Sequence, residues 1–212
     1  IAKNASSTGT VTVDGVASSW ANTGDLYVGG SATAAGGTGV LNVQNGSVVD
    51  VAGVTKVWST GTVNLSDATL NTTSLVNEGS LIMSGLTTIN GDVNNAGTGS
   101  IVVTGTTSFN NNVINDGGAF HVNAGSQAVF SGAVSGAGTY TGTGTLVFNG
   151  GLLADNSAAL VDVAGDMVLG SAASYAFELG GLLRGTQYEA YYVSGQVTLA
   201  SELNVLLADF GA

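Results

Sequence analysis

The 212 residues carry 14 Asp and Glu against 3 Lys and Arg, a net charge of −11, and contain neither cysteine nor proline. That balance argues against nucleic acid or an anionic membrane surface as a partner, and the missing thiols exclude disulfides, thiol catalysis and thiolate metal sites. Hydrophobic residues make up 44% and charged ones 8%, so the chain is neither a disordered acidic tail nor an ordinary charged globular surface.

Taken in chain order, the first sixty residues are short strand-forming runs that end on turn dipeptides. Val11-Thr-Val13 ends at Asp14-Gly15, Leu26-Tyr-Val28 at Gly29-Gly30, Val40 to Val43 at Asn45-Gly46, and Val49-Asp-Val51 at Gly53. Alone, these runs suit hairpins of an antiparallel sandwich as well as coils of a solenoid. The Ser, Ala, Thr and Gly segment from Ser31 to Gly39 reads as a protruding or flexible loop.

From Leu70 to Gly138 one short phrase recurs: Leu75 to Gly79, Val93 to Gly97, Val113 to Gly117 and Val134 to Gly138. Its apolar anchors Leu75, Val93, Val113 and Val134 recur about every twenty residues, with Ile89, Phe109 and Phe130 four residues upstream of the last three. A period near twenty built from β-branched runs and glycines is the signature of a β-solenoid, in which each coil buries its inner face only by stacking on its neighbours. Each coil is expected to hold three strands, and each to climb about 4.8 Å. The absence of proline fits, because nearly every strand of a solenoid is central and needs its N–H in a ladder. Asn77, Asn95 and Asn115 fall two residues before the repeat glycine and are expected to form a hydrogen-bonded asparagine ladder on an outward or corner column that ends at Gly136.

Residues 1–150 are therefore read as solenoid coils and 151–212 as a more apolar C-terminal β region, capping or interface-forming. Its strands are expected at Leu160 to Val163, Met167 to Leu169, Tyr175 to Leu179, Tyr188 to Val193 and Leu203 to Leu207. No run reaches the roughly 18 apolar residues of a membrane helix and no signal peptide is visible. The chain reads as a processed or excerpted piece of something longer.

The words Asn156-Ser157, Gly165-Asp166, Glu178 to Gly181, Gly185 with Gln187-Tyr188, Val193 to Gly195 and Leu203 to Val205, together with Val11 to Gly15, Trp20 and Gly24 to Gly30, cover most of the chain. They resemble the passenger regions of bacterial autotransporter adhesins and related extracellular repeat proteins that bear the PEP-CTERM sorting signal. Ala154 and Ala158 stand where such proteins usually carry prolines, and Glu189 where they carry Asp. The resemblance implies export, a right-handed parallel β-helix and a role at the cell surface or in extracellular matrix, without an enzymatic activity.

Little in the sequence points to chemistry. Glu78 and Asp116 are the best carboxylate pair, but two coil rises would hold them about 10 Å apart, at or beyond the spacing inverting glycosidases use. His121, flanked by Phe120 and Val122, is expected to face outward. No nucleophile elbow, phosphate loop or calcium loop occurs, so no cofactor is expected beyond weak calcium binding at Asp116 or at Asp162 and Asp166. The sequons at Asn4, Asn45, Asn64 and Asn71 are expected by chance in so Asn- and Thr-rich a chain. The expected role is an extracellular structural solenoid, a stalk or matrix filament associating head to tail through Val11, Val13, Leu203, Val205, Leu207 and Phe210. The alternative is a glycan-binding adhesin module in which Thr, Asn and Tyr on one flat face recognise polysaccharide, with Trp20, Trp58 and Tyr140 as the positions whose substitution would reveal it; a polysaccharide lyase or hydrolase is the least favoured.

Overall fold

The structure, a computed structural model, describes residues 1–153, 160–171, 174–176, 181–184, 186–188 and 190–200. Those residues form an all-β solenoid with three faces and no helix. Face one is a nine-stranded sheet running from Thr8–Asp14 through Thr38–Gln44, Gly61–Ser66 and Ser80–Ser84 to Ala190–Val193, every pair parallel. Face two begins at Ser19–Asn22 and Val48–Val51 and ends at Val197–Leu199. Face three begins at Leu26–Val28 and Val54–Val57 and ends at Ser174–Ala176. Thr69–Asn77 and Leu86–Ala96 each turn the corner between faces two and three as one strand.

The anchors stack as their spacing predicts: Leu75, Val93, Val113 and Val134 pair in sequence on face three, and Ile89, Phe109 and Phe130 on face two. Alternation sends every second residue inward, and the inner columns are continuous. One runs from Val11 through Leu41, Val63, Leu81, Ile101, Phe120, Tyr140 and Val163 to Val193. Another runs from Trp20 through Val49, Leu70, Ile89, Phe109, Phe130, Phe148 and Leu169 to Leu199. Strand spacing sets ring spacing, so Phe109, Phe130 and Phe148 stack at 5.2 and 5.1 Å between centroids. The ladder continues across residue 150 into Gly151–Leu153, Leu160–Val163 and Asp166–Leu169.

The corner between faces three and one is built of glycine. Gly9, Gly39 and Gly61 are register partners, and Gly79, Gly99, Gly118 and Gly138 occupy the same position in the following coils. The phrase read from sequence aligned Gly97 and Gly117 instead. Those two adopt left-handed φ of 58° and 76° in the turn just before the stacked residue. At Gly118 a Cβ would strike the amide of Asn95, and at Gly138 that of Asn115. The glycines thus clear the volume that the asparagines fill.

Those asparagines point inward, not outward: Asn77, Asn95 and Asn115 are all 0% exposed. An outward placement fails because they occupy the same alternating positions as Leu75 and Val93, facing the core at the end of face three. Asn77 Nδ2 donates to Asn95 Oδ1 at 2.8 Å, and Asn95 Nδ2 to Asn115 Oδ1 at 2.8 Å. The second proton of each amide goes to a main-chain carbonyl of the next coil, Ser100 O for Asn77 and Ala119 O for Asn95, both at 3.1 Å. Each amide therefore spends both donors on joining one coil to the next. Above the ladder Gly136 follows Asn115, whose side chain also hydrogen-bonds Tyr140; burial pushes the Tyr140 hydroxyl far above its ordinary pKa.

Replacing Asn95 by Asp leaves two buried acceptors, Asn115 Oδ1 and Ala119 O, facing a group that can donate only when protonated. Burial raises the folded-state pKa above the unfolded one, so the stabilising protonated form is fully present below the unfolded pKa and lost as pH rises through the folded value. We expect Asn95→Asp to lose roughly 2–5 kcal/mol at neutral pH and to recover part of it on acidification, measured by urea unfolding across pH.

Candidate functional site: the open base of the solenoid

The first coil is where the repeating pattern stops being covered. Thr8–Asp14 is the terminal strand of face one, and among the described residues no strand pairs with its outer edge. Among the described residues Ser19–Asn22 pairs only with Val48–Val51. Both are sequence-typical strands, so each presents a row of unpaired backbone donors and acceptors. Face three is partly closed, because Ile1 O accepts from Gly29 N–H at 2.9 Å. Core columns end here too: Val11 and Trp20 are half-buried members of columns whose next residues, Leu41 and Val49, are fully buried.

Ile1, Lys3, Val11, Trp20, Asp25, Leu26 and Tyr27 are among the residues lining a cleft of about 520 Å³ at this base. Val13 lies deeper, 9% exposed, with its carbonyl accepting from Ser47 Oγ at 2.8 Å. Leu203, Val205, Leu207 and Phe210, expected at the opposite end, lie outside the described residues.

The segment expected to protrude, Ser31 to Gly39, instead folds back on this end. Gly30 and Ala35 form an antiparallel bridge, Gly37 N–H donates to Ala2 O and Thr38 N–H to Ser7 O. Gly36 and Gly37 have no room for a Cβ against Lys3 and Ser7 backbone, which is why small residues fill the segment. Trp58 Nε1 donates to Ser31 O at 2.8 Å and Lys56 lies over its ring, 4.7 Å from the centroid. Trp58 is thereby covered by the loop, whereas Trp20 lines the cleft.

Asp25 ties the base to the coil above. Its Oδ1 accepts from Val54 N–H at 2.8 Å and its Oδ2 from Tyr27 OH at 2.7 Å. The Val54 N–H, and then the Tyr27 hydroxyl, hold the carboxyl below the ordinary aspartate range; the same carboxylate pushes the Tyr27 hydroxyl up. No sequence reading singled out Asp25; an acid one residue before a strand at a coil corner was the available signal.

The other candidate residues do not converge. Glu78 is paired with Lys56, while Asp116 lies on a strand two coils further, beyond Ala96. His121 faces outward, its Nδ1 2.9 Å from Thr141 Oγ1. Asp166 Oδ1 accepts from Gln196 N–H, and Asp162 stands on the outward face of its strand. Among the described residues no three His, Asp or Glu side chains gather into a metal-holding group. Tyr140 is 3% exposed inside the core, so it cannot stack on a glycan as the adhesin alternative supposed. Comparison of the sequence with protein families, curated proteins and solved structures finds no match in any of the three.

Because the folded pKa of Asp25 is depressed, its contribution is present above the unfolded value and is lost as pH falls through the folded one. We expect the Val54 amide to exchange with solvent faster as pH drops below the ordinary aspartate range, after correction for intrinsic exchange. In Asp25→Ala it should exchange fast at every pH, while amides of the central coils are unaffected; hydrogen-exchange mass spectrometry reads both.

Proposed function

We propose that this chain is a structural rod of the cell surface or extracellular matrix, assembling end to end with copies of itself, and that its role is mechanical rather than catalytic. The open base carries the reading. A terminal coil exposes ladder edges and core side chains together, and the surface that satisfies both is another coil. Val11 and Trp20 stand where such a coil would continue their columns. The last described rung has the same character, since Val197 and Leu199 end the inner columns of face two about half exposed.

The outer faces give less purchase. Asn110 donates to Asn90, Asn90 to Asn71 and Asn71 to the Asp50 carboxylate, at 2.7, 2.7 and 2.6 Å. Asn64 donates to Asn42 in the same way on face one, at 2.8 Å. Each of these amides commits one of its two N–H donors along the axis. The resemblance to autotransporter passengers and PEP-CTERM repeat proteins supports an exported, surface-associated setting.

A second reading has one specific observation behind it: Trp20 lines the cleft beside Asn22 and Tyr27, a combination able to stack on and hydrogen-bond a sugar ring.

Sedimentation of the purified chain over a concentration series is expected to show growing species, with rods lengthening in electron micrographs. Val11→Lys, whose stem still covers apolar surface while its ammonium resists desolvation, should remain monomeric with an unchanged β circular dichroism spectrum. Monodisperse particles at all concentrations would refute the filament reading. Quenching of Trp20 by a defined oligosaccharide at concentrations where the chain is monomeric would favour the glycan reading instead.

A further inference from the structure

We propose that Asn149 is a modification site, the asparagine at which the folded rod loses a side-chain amide by self-catalysed conversion to aspartate or isoaspartate. The coil stack holds the chain's other susceptible asparagines intact. An asparagine is most prone to this reaction when glycine follows it, because the next peptide nitrogen then approaches the side-chain carbonyl carbon without a Cβ in the way. Three asparagines of the chain precede glycine: Asn45, Asn90 and Asn149. In the reaction the peptide nitrogen gives its proton to solvent base and bonds to Cγ. A proton returns from solvent to Nδ2 as the Cγ–Nδ2 bond breaks, and ammonia leaves. Water then opens the succinimide at either carbonyl, giving aspartate or an isoaspartate whose main chain runs through Cβ and Cγ.

At Asn45 and Asn90 the fold restrains both partners in that reaction. Gly46 N–H donates to Asp67 O at 2.7 Å, and Asn45 Nδ2 donates to Asp14 Oδ1 at 2.7 Å. Gly91 N–H donates to Asn111 Oδ1 at 3.0 Å. The Asn90 amide is a rung of the outer ladder, donating to Asn71 Oδ1 and accepting from Asn110 Nδ2, both at 2.7 Å. A peptide N–H committed to an acceptor holds its proton, and an amide bonded along the axis must break those bonds before it can swing toward the nitrogen.

Asn149 stands in the same column as Asn90, one residue beyond the stacked Phe148 as Asn90 is beyond Ile89 and Asn110 beyond Phe109. Its neighbours in that column are Ser131 below and Gly170 above, so no amide adjoins it and the ladder is interrupted. The residue is exposed, and its Oδ1 lies over Gly170, whose own N–H is spent on Phe148 O at 2.8 Å. Gly150 N–H reaches Phe130 O only at 3.3 Å, beyond the usual range, and shares that carbonyl with Asn149 N–H at 2.8 Å. Packing requires the glycine, since a Cβ at residue 150 would strike the backbone of Ser131 and Gly132. Coil geometry thus dictates the susceptible pair and leaves its amide off the ladder. An isoaspartate there adds a main-chain carbon between Thr145–Phe148 of face two and Gly151–Leu153 of face three, at a corner the ladder has fixed.

The test is to age the folded 212-residue chain at mildly alkaline pH and score the three sites by peptide mapping with mass spectrometry. Asn149 should convert on the order of tenfold faster than Asn45 and Asn90, and in chain unfolded by guanidinium the three rates should converge. Two variants probe the cause at Asn90. Asn71→Ser with Asn110→Gly gives Asn90 the polar and glycine neighbours that Asn149 has, and Asn111→Ala frees the Gly91 N–H. Each should speed conversion of Asn90 while circular dichroism and the Asn149 rate stay unchanged. Amides of Gly151–Leu153 should exchange with solvent faster in the aged chain than in the fresh one. Conversion of folded Asn45 or Asn90 as fast as Asn149 would overturn the assignment, as would an Asn149 no faster in the folded chain than its neighbours. Asn90 rates unmoved in both variants would overturn the ladder and the backbone bond as the protection.

Discussion

Everything in this molecule follows from the parallel backbone ladder that binds each coil to the next. The ladder does not stop at the corners: Trp58 N–H donates to Val28 O, Glu78 N–H to Val57 O, Thr104 N–H to Met83 O and Asn123 N–H to Val103 O. With strands and turns both locked to the coil below, a side chain can only stand directly above its equivalent. Column composition is then the variable left to the sequence. Aliphatic columns give way to phenylalanines at Phe109 and Phe120, and several of the buried polar residues are bonded to a polar partner one rung away. Thr87 and Thr107 illustrate this, fully buried with their hydroxyl oxygens 2.7 Å apart.

The same rule fixes the direction of the amide ladders. Asp50 is a carboxylate that can only accept, so Asn71 must donate to it, Asn90 to Asn71 and Asn110 to Asn90. Inside the corner, the carbonyls of Ser100 and Ala119 demand donors from Asn77 and Asn95, and the buried ladder runs in the opposite sense. Its lowest member pays for this arrangement, since Asn77 Oδ1 is buried without a hydrogen-bond partner above the apolar Val57. That orphan acceptor marks where an apolar column becomes a polar one.

How much of this was legible beforehand depended on whether a residue's meaning lay in its period or in its neighbours. Spacing alone placed Leu75, Val93, Val113 and Val134 one above another, because a hydrophobic anchor in a repeat has one place to go. The asparagines had two: a polar residue next to a corner reads as solvent-facing until the glycine beside it is seen to vacate the core. Glycine itself misled at Gly97 and Gly117, where the left-handed turn residue stands one or two positions before the stacked Gly99 or Gly118 and only register tells them apart. The Ser31 to Gly39 fold-back was invisible for a different reason: its partners from Ala2 to Ser7 are contacts made once, so no periodicity announces them. Asp25 does belong to a repeat, since Asp92 Oδ1 accepts from Asn112 N–H and Asn112 Oδ1 from Ala133 N–H in the same column, but Val54 and Ser74 interrupt that column and hide it.

The distinction between repeated and unrepeated contacts also separates the sides of the rod from its ends. A repeated contact is satisfied by the next coil, so along the flanks the backbone groups are paired and the side-chain ladders engage part of what they present. At the base that arithmetic fails. The first coil has the same strand-forming residues as the rest, yet no described strand pairs with the outer edges of faces one and two, and Ile1 lies beneath face three. Charged residues that would discourage strand addition are sparse on Thr8–Asp14, where Asp14 alone is ionisable, and absent from Ser19–Asn22. A solenoid's most adhesive surface is its own cross-section, and here the cross-section is left open while the flanks are internally bonded. That asymmetry is what the proposed axial addition of another coil draws on.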